Sequence, residues 1–283
     1  MSTSRAETAF GVANSIFFVV LGMTMVYPIW YILMFSLSEF YEVSNLYLWP
    51  QRFSLQTYRT IFREGLVVHG LRNSVIMVSA GTAVSMLLTV LAAYPLSRRG
   101  FFGRKKFMAV FIFTMIFSGG IIPTYLVVRS LGMVNTLWAL FMPNAISVYN
   151  LLIMTRFFAN IPDSLYESAY IDGADDLWIL LRIVLPLSTA VLAAIGLFYA
   201  VFSWNAYMPG LIYITDARKQ PLQTMLYSIV KGTSYEMTAD SLGILPEGIK
   251  MATAFVTVAP ILIVYPFLQK HFVKGVMLGS VKG

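Results

Sequence analysis

Long apolar stretches alternate with short charged ones along almost the whole chain. Six runs carry no charged residue: 8–38, 73–97, 107–128, 130–155, 183–215 and 251–269. Each is about as long as the ~20 apolar residues that an α-helix needs to cross a bilayer. The pattern predicts an all-α integral membrane protein with six transmembrane helices. The expected spans are 11–36, 73–96, 107–128, 134–155, 186–210 and 251–269, in one transmembrane domain covering 1–283.

Six crossings put both termini on the same side. The bridge at 98–106, Arg-Arg-Gly-Phe-Phe-Gly-Arg-Lys-Lys, has five basic residues and no acid, which marks it as cytoplasmic. Parity then assigns the termini and the 156–182 loop to the cytoplasm, and the loops at 39–72 and 216–250 to the outside. The first apolar run is too long for the core of a signal peptide and lacks a clear cleavage site. It is expected to stay as a first helix, with Pro28 in its outer half. Leu46-Tyr-Leu-Trp-Pro50 reads as an interfacial anchor, because aromatic rings favour the depth where one end is apolar and the other wet.

Composition agrees and removes several classes of function. Apolar residues make up 58% and charged residues 12% of the 283, with a mean hydropathy of +0.73. Soluble domains carry about 25% charge. There is no cysteine, which excludes thiolate metal sites and a cysteine nucleophile. His69 and His271 are far apart in sequence, and an isolated His of this kind reads as a loop or interfacial residue. The net charge of +7 fits basic loops facing anionic lipid better than it fits nucleic acid, since no basic helix carries interleaved aromatics. No catalytic or metal-binding residue is expected.

Several positions interrupt the apolar pattern. Ser118-Gly119-Gly120 and Pro123 would weaken or kink the third run, as a hinge or path lining, or as a packing kink. Asn144, Asn150 and Asn205 lie inside apolar runs and are expected to face the bundle interior. Bonding between helices and contact with a substrate are both open to them. The outer loop after the fifth run carries Asp216, Arg218, Lys219, Tyr227 and Tyr235, followed by a turn-rich segment at 241–248.

The polar stretch 162–186 lies between two apolar runs and reads as helix, break, helix. Pro162 suits a first helical turn and Asp163 complements the helix dipole. Asp172-Gly173 fits a helix end, where positive φ is needed. Asp175 and Asp176 open the second segment, and Pro186 leads into the next apolar run. Glu167, Tyr170 and Ile171 share one face of the first helix. That face offers a carboxylate framed by apolar surface, suited to docking another protein.

The order Glu167-Ser168-Ala169, then Gly173, Ile183, Leu185 and Pro186 resembles the EAA motif of the membrane subunits of binding-protein-dependent ABC importers. Ser168 is the one departure, where the family usually has Ala. Trp204-Asn205-Ala206-Tyr207 and the tail from Lys270 to Met277 are similar to the carbohydrate branch, with LplC-like and MalG-like permeases. The resemblance implies a type I importer permease fold in the bacterial plasma membrane, with 156–185 as a cytoplasmic coupling-helix loop. Glu167, Ser168, Ala169, Asp172, Gly173, Ala174, Ile183, Leu185 and Pro186 would then form the segment that couples to the ATPase. Glu167 would pair with a basic group there, and Gly173 would supply the turn. Asn144, Asn150, Asn205 and Tyr207 become candidates for the substrate path, and Asp216, Arg218 and Tyr235 for contact with the binding protein. The implied partners are a second permease chain, two ATPase subunits, an extracytoplasmic solute-binding protein and membrane lipid.

The implied cargo is a sugar or oligosaccharide, including uronate-containing ones. The chain has no G-x-x-x-x-G-K-[ST] loop, so ATP and Mg are expected in the partner ATPase and no cofactor on this chain. An ion-coupled carrier is the alternative. It would need an ionisable group at membrane depth or an inverted repeat, and neither is seen. A membrane-embedded enzyme would need convergent His, Asp or Ser groups at that depth, whereas the acids cluster in the 162–186 loop.

Overall fold

Lipid offers no hydrogen-bond partner, so backbone groups must be satisfied within the chain. The computed structural model describes residues 5–39, 48–50, 52–63, 65–231 and 246–280, and among them regular structure is helical apart from one antiparallel bridge, Ser38 to Phe53. Among the described residues, three helices are long and apolar enough to cross a membrane. They are α1 (Arg5–Ser36), α3 (Leu66–Ser97) and the last helix, α14 (Pro246–Ser280). A short amphipathic helix, α2 (Gln56–Arg63), precedes α3.

Three bent pairs bring the total to six if each is one span. α4 (Arg104–Ile116) and α5 (Ile121–Ser130) meet at 116°. α6 (Trp138–Phe141), extended by a 3-10 turn to Asn144, meets α7 (Val148–Ala159) at 56°. After α8 (Asp163–Ile171), the element Asp176–Leu187 meets α11 (Thr189–Asn205) at 85°. α12 (Met208–Tyr213) and α13 (Leu222–Val230) follow.

The helices differ from the charge-free runs for physical reasons. α3 begins at Leu66, ahead of the run at 73, because Arg72 ends a charge-free run without ending a helix. α14 extends beyond 251–269 at both ends for the same reason. The third run is not one straight crossing. Gly120 has φ 84° and ψ −179°, a region essentially restricted to glycine, and it forces the turn into α5. Thr124 Oγ1 donates to the Gly120 carbonyl at 2.7 Å and holds the new helix start.

The chain divides into two units. One is Met1–Val67 with Leu226–Pro260. Its buried centre is Met34 and Phe35, with Tyr31, Leu33, Leu37 and Met251 packed on them. Much of α1 is apolar on every side and exposed, as a lipid-facing helix is. The second unit is Val68–Met225 with Ile261–Gly283. Its main core includes Leu151, Met154, Phe158, Tyr166, Ile179 and Ile195. The 162–186 segment and both bent pairs that follow α5 lie in this unit.

Candidate functional site

The 162–186 segment forms two helical pieces joined by a closed turn. Pro162 is the residue just before α8, with φ −55° and ψ 132°, one position earlier than the first-turn placement expected for it. Asp163 opens the helix. At its other end the Gly173 N–H donates to the Tyr170 carbonyl at 3.0 Å, and the Ala174 N–H donates to the Ala169 carbonyl at 2.9 Å. This pair of bonds is a Schellman motif, which requires the left-handed backbone that Gly173 adopts at φ 81°. Asp175 then caps α9 (Asp176–Ile179), its Oδ1 accepting from the Trp178 N–H at 2.7 Å. Leu180–Val184 follow as a π-helical turn, continued by α10 (Leu185–Leu187). Pro186 has no N–H for the regular ladder and its ring crowds the carbonyl four residues back. The wider turn just before it relieves that crowding.

The loop has an inner and an outer side. Tyr166 and Ala169 of α8 are buried with Ile179, Leu180 and Val184, and Ala174, Ile183 and Leu185 pack against the same core. Glu167, Ser168, Asp172, Gly173 and Pro186 are exposed. Ile171 is 86% exposed, and Leu177, Trp178 and Leu181 are also exposed. The result is an apolar outer surface with the Glu167 carboxylate at its edge. Of the predicted coupling residues, Ala169 is turned into the chain's own core and does not face outward.

Residues outside the motif hold the loop. Asp176 Oδ1 accepts from the Tyr170 hydroxyl at 2.7 Å and from the Tyr94 hydroxyl of α3 at 2.9 Å. The Arg98 guanidinium lies 3.5 Å above the centre of the Tyr166 ring and 3.9 Å from Asp163 Oδ1. Donation to Asp176 raises the Tyr170 pKa above its usual value, with desolvation adding to it. Burial raises that of Tyr166 against the opposing pull of Arg98.

A second feature is a cavity of about 410 Å³, lined by Asn144, Ile146, Ser147, Tyr149, Asn150, Phe198, Tyr199 and Phe202. The bend between α6 and α7 opens it. Ser147 caps α7, its Oγ accepting from the Asn150 N–H at 3.4 Å. The Tyr199 hydroxyl accepts from the Ser147 N–H at 3.0 Å and bonds Thr89 Oγ1 at 2.7 Å, which pins the bend. Asn144 and Asn150 come together here. Asn205 does not join them: it is exposed, and its Nδ2 donates to the Val201 carbonyl of its own helix at 2.8 Å. One of its two N–H donors is thus satisfied one turn back, and Asn205 lies outside the cavity lining. Tyr207 lies outside the lining, and its carbonyl accepts from Thr224 Oγ1 at 2.9 Å.

The candidates for outer contact are partly built into a turn. Asp216 Oδ1 accepts from the Arg218 N–H at 3.0 Å, and the Asp216 N–H donates to Asn135 Oδ1 at 3.2 Å. Asn73 Nδ2 donates to the Arg218 carbonyl at 2.8 Å, while the Arg218 side chain is exposed. Tyr235 and residues 241–245 lie outside the described residues. Sequence reasoning missed Tyr94, Arg98, Tyr149, Phe198, Tyr199 and Phe202. Arg98 alone carried a signal, as part of the basic bridge.

Comparison with known proteins places this geometry. The family described as binding-protein-dependent transport system inner membrane component matches residues 10–278. The chain is 47% identical over 274 residues to the polygalacturonan/rhamnogalacturonan transport system permease protein YtcP of Bacillus subtilis (strain 168), covering 94% of this chain and 96% of that protein. It is 41% identical over 289 residues to protein LplC of the same organism, covering 100% and 98%. In structure it is similar to a chain from a bacterial ABC transporter involved in the import of the acidic polysaccharide alginate. There the TM-score is 0.89 at 30% identity, over 96% of this chain and 99% of the other.

Proposed function

Because the chain belongs to the family of binding-protein-dependent transport system inner membrane components, and is a membrane subunit of a sugar ABC importer, we propose that residues 162–186 couple it to a separate ATPase. The observation that carries this reading is the rigid outer surface of α8 and α9. The Schellman turn at Gly173 and the Asp175 cap fix two short helices at an angle, with Glu167, Ile171, Leu177 and Trp178 exposed. Apolar side chains held outward on a cytoplasmic loop suit a cleft in a partner, and Glu167 suits a basic group at its rim. Two ATPases, a second and different permease chain and an external binding protein complete the assembly. Both termini then lie in the cytoplasm.

The cavity at the α6–α7 bend is the part of the translocation path that this chain supplies. Tyr149, Phe198 and Phe202 offer faces for pyranose rings, and Asn144, Asn150 and Ser147 offer groups for hydroxyls. We infer a uronate-containing oligosaccharide as cargo, supported by the names of the galacturonan and alginate systems to which the chain is similar. None of the eight lining residues is charged. Sugar carboxylates are therefore matched elsewhere, by the binding protein or the partner permease.

The native chain has no cysteine, which gives a clean test. Ile171→Cys, and separately Leu177→Cys, labelled with a maleimide that carries a photoreactive group, should cross-link to the ATPase on illumination of the assembled importer. Yield should change when ATP is added. No cross-link from either position 171 or position 177 in an active importer would remove the coupling role.

A further inference from the structure

We propose that Asp176 is a positioning residue that ties the coupling loop to α3, so that movement of the loop is passed to that helix. This rests on the coupling role proposed above. One carboxylate oxygen, Asp176 Oδ1, takes two tyrosine hydroxyls from two different helices: Tyr94 of α3 at 2.9 Å and Tyr170 of α8 at 2.7 Å. Hydrogen bonds to an ionised acceptor are the strong ones, and they are directional. A shift of α9 against α3 breaks the first bond, and a shift of α9 against α8 breaks the second.

A second contact set points the same way. Tyr94 lies in the last turn of α3 at its cytoplasmic end, and Arg98 is the first residue after the helix. Arg98 engages the start of α8 through the Tyr166 ring at 3.5 Å and Asp163 at 3.9 Å. The end of α3 and the residue that follows it thus grip the loop in two places, through α9 and through α8. Tyr94 and Tyr166 are buried, so the α3 side of the first bond and the ring under Arg98 are shielded from water, while Tyr170, Asp176 and Asp163 lie at the surface. The apolar core beneath the loop, which includes Ala169 and Leu180, is not directional and allows sliding. The polar tie is what fixes the register between loop and helix.

The test uses the complete importer in proteoliposomes, with partner permease, ATPase and binding protein, and reads sugar taken up per ATP hydrolysed. The probe is oligogalacturonate or an alginate oligomer, whichever the wild type imports. Asp176→Ala removes both bonds and should lower that ratio by at least the roughly tenfold that loss of one charge-assisted hydrogen bond brings to a two-state equilibrium. Tyr94→Phe, which removes one oxygen, should lower it in the same direction. Asp176→Asn keeps an acceptor oxygen and should recover most of the ratio. A role in stability alone would lower uptake and hydrolysis together and leave the ratio unchanged, which would overturn the proposal. If Asp176→Ala does not assemble, Tyr94→Phe decides by the same ratio. Glu167→Ala runs in parallel. Wild-type ratios for the Asp176 and Tyr94 variants beside an uncoupled Glu167→Ala would refute the tie and leave the docking surface standing. A wild-type ratio for Glu167→Ala, with no cross-link from Ile171, would remove the coupling role and the tie with it.

Discussion

Gly173 allows the turn of the 162–186 loop to be perturbed by a single physical effect. Its φ is 81°, and a Cβ built there would meet nothing within 4 Å. Gly173→Ala therefore adds no clash, and its cost comes from the left-handed backbone alone, about 1–2 kcal/mol. A change of that size shifts the ratio of closed to open turn by a factor of roughly 5–30. Gly173→Asn should cost less, because Asn tolerates this conformation. Gly173→Pro should cost more, since its φ is locked near −65° and it loses the N–H that donates to Tyr170 at 3.0 Å. Hydrogen exchange of the peptide covering 169–176 in the reconstituted importer reads the effect. The Ala174 amide, bonded to the Ala169 carbonyl at 2.9 Å, should exchange faster in the order wild type, Asn, Ala, Pro. Exchange in Gly173→Ala as slow as in wild type would refute the reasoning, as would Asn exchanging faster than Ala.

Three further outcomes are expected. A Cβ at Gly210 would stand 2.8 Å from Thr224 Cβ and collide with Thr224 Oγ1, so Gly210→Ala should destabilise by about 1–3 kcal/mol. The thermal midpoint should recover only in part in the double variant with Thr224→Ala, which removes Oγ1 and Cγ2 but keeps the Cβ at 2.8 Å. Tyr199→Phe leaves the Ser147 N–H and Thr89 Oγ1 without their shared partner. It should cost about 1–3 kcal/mol and weaken apparent sugar affinity more than ATP hydrolysis, measured as KM for uptake. The raised pKa of Tyr170 means the folded chain holds that proton more tightly than the unfolded one. Its contribution is complete below the ordinary tyrosine value of about 10 and is lost as pH rises through the higher folded value. The stability gap between wild type and Tyr170→Phe should stay constant from pH 6 to 9 and close only above that range, in contrast to a gap that closes near neutrality.

The membrane class and the helix–turn–helix form of 162–186 were more legible in the sequence than the cavity was. Charge-free runs report where lipid can lie, so α1, α3 and α14 were legible from charge alone. The breaks inside the runs were legible only where glycine or proline marked them, as at Gly120. The 85° bend at Ser188 had no such sign beyond Pro186. Asp172-Gly173 announced the Schellman turn because local chemistry dictates it. The grip of Tyr94 and Arg98 on the loop was hidden, since Tyr94 and Asp176 lie 82 positions apart. Tyr149, Phe198, Tyr199 and Phe202 were hidden for another reason. An aromatic residue within an apolar run looks the same whether it faces lipid, core or cavity, and only the bend at Ser147 separates these cases.

The central claim is that this chain moves an acidic sugar only when an ATPase drives it through the 162–186 loop. The most direct measurement is uptake of labelled oligogalacturonate and alginate oligomers by proteoliposomes holding the complete importer. Uptake should require ATP and the binding protein together, and should be lost in Glu167→Ala and Gly173→Pro while the complex still assembles. Uptake that continues without ATP under an imposed proton or sodium gradient, or that is unchanged in both variants, would contradict it.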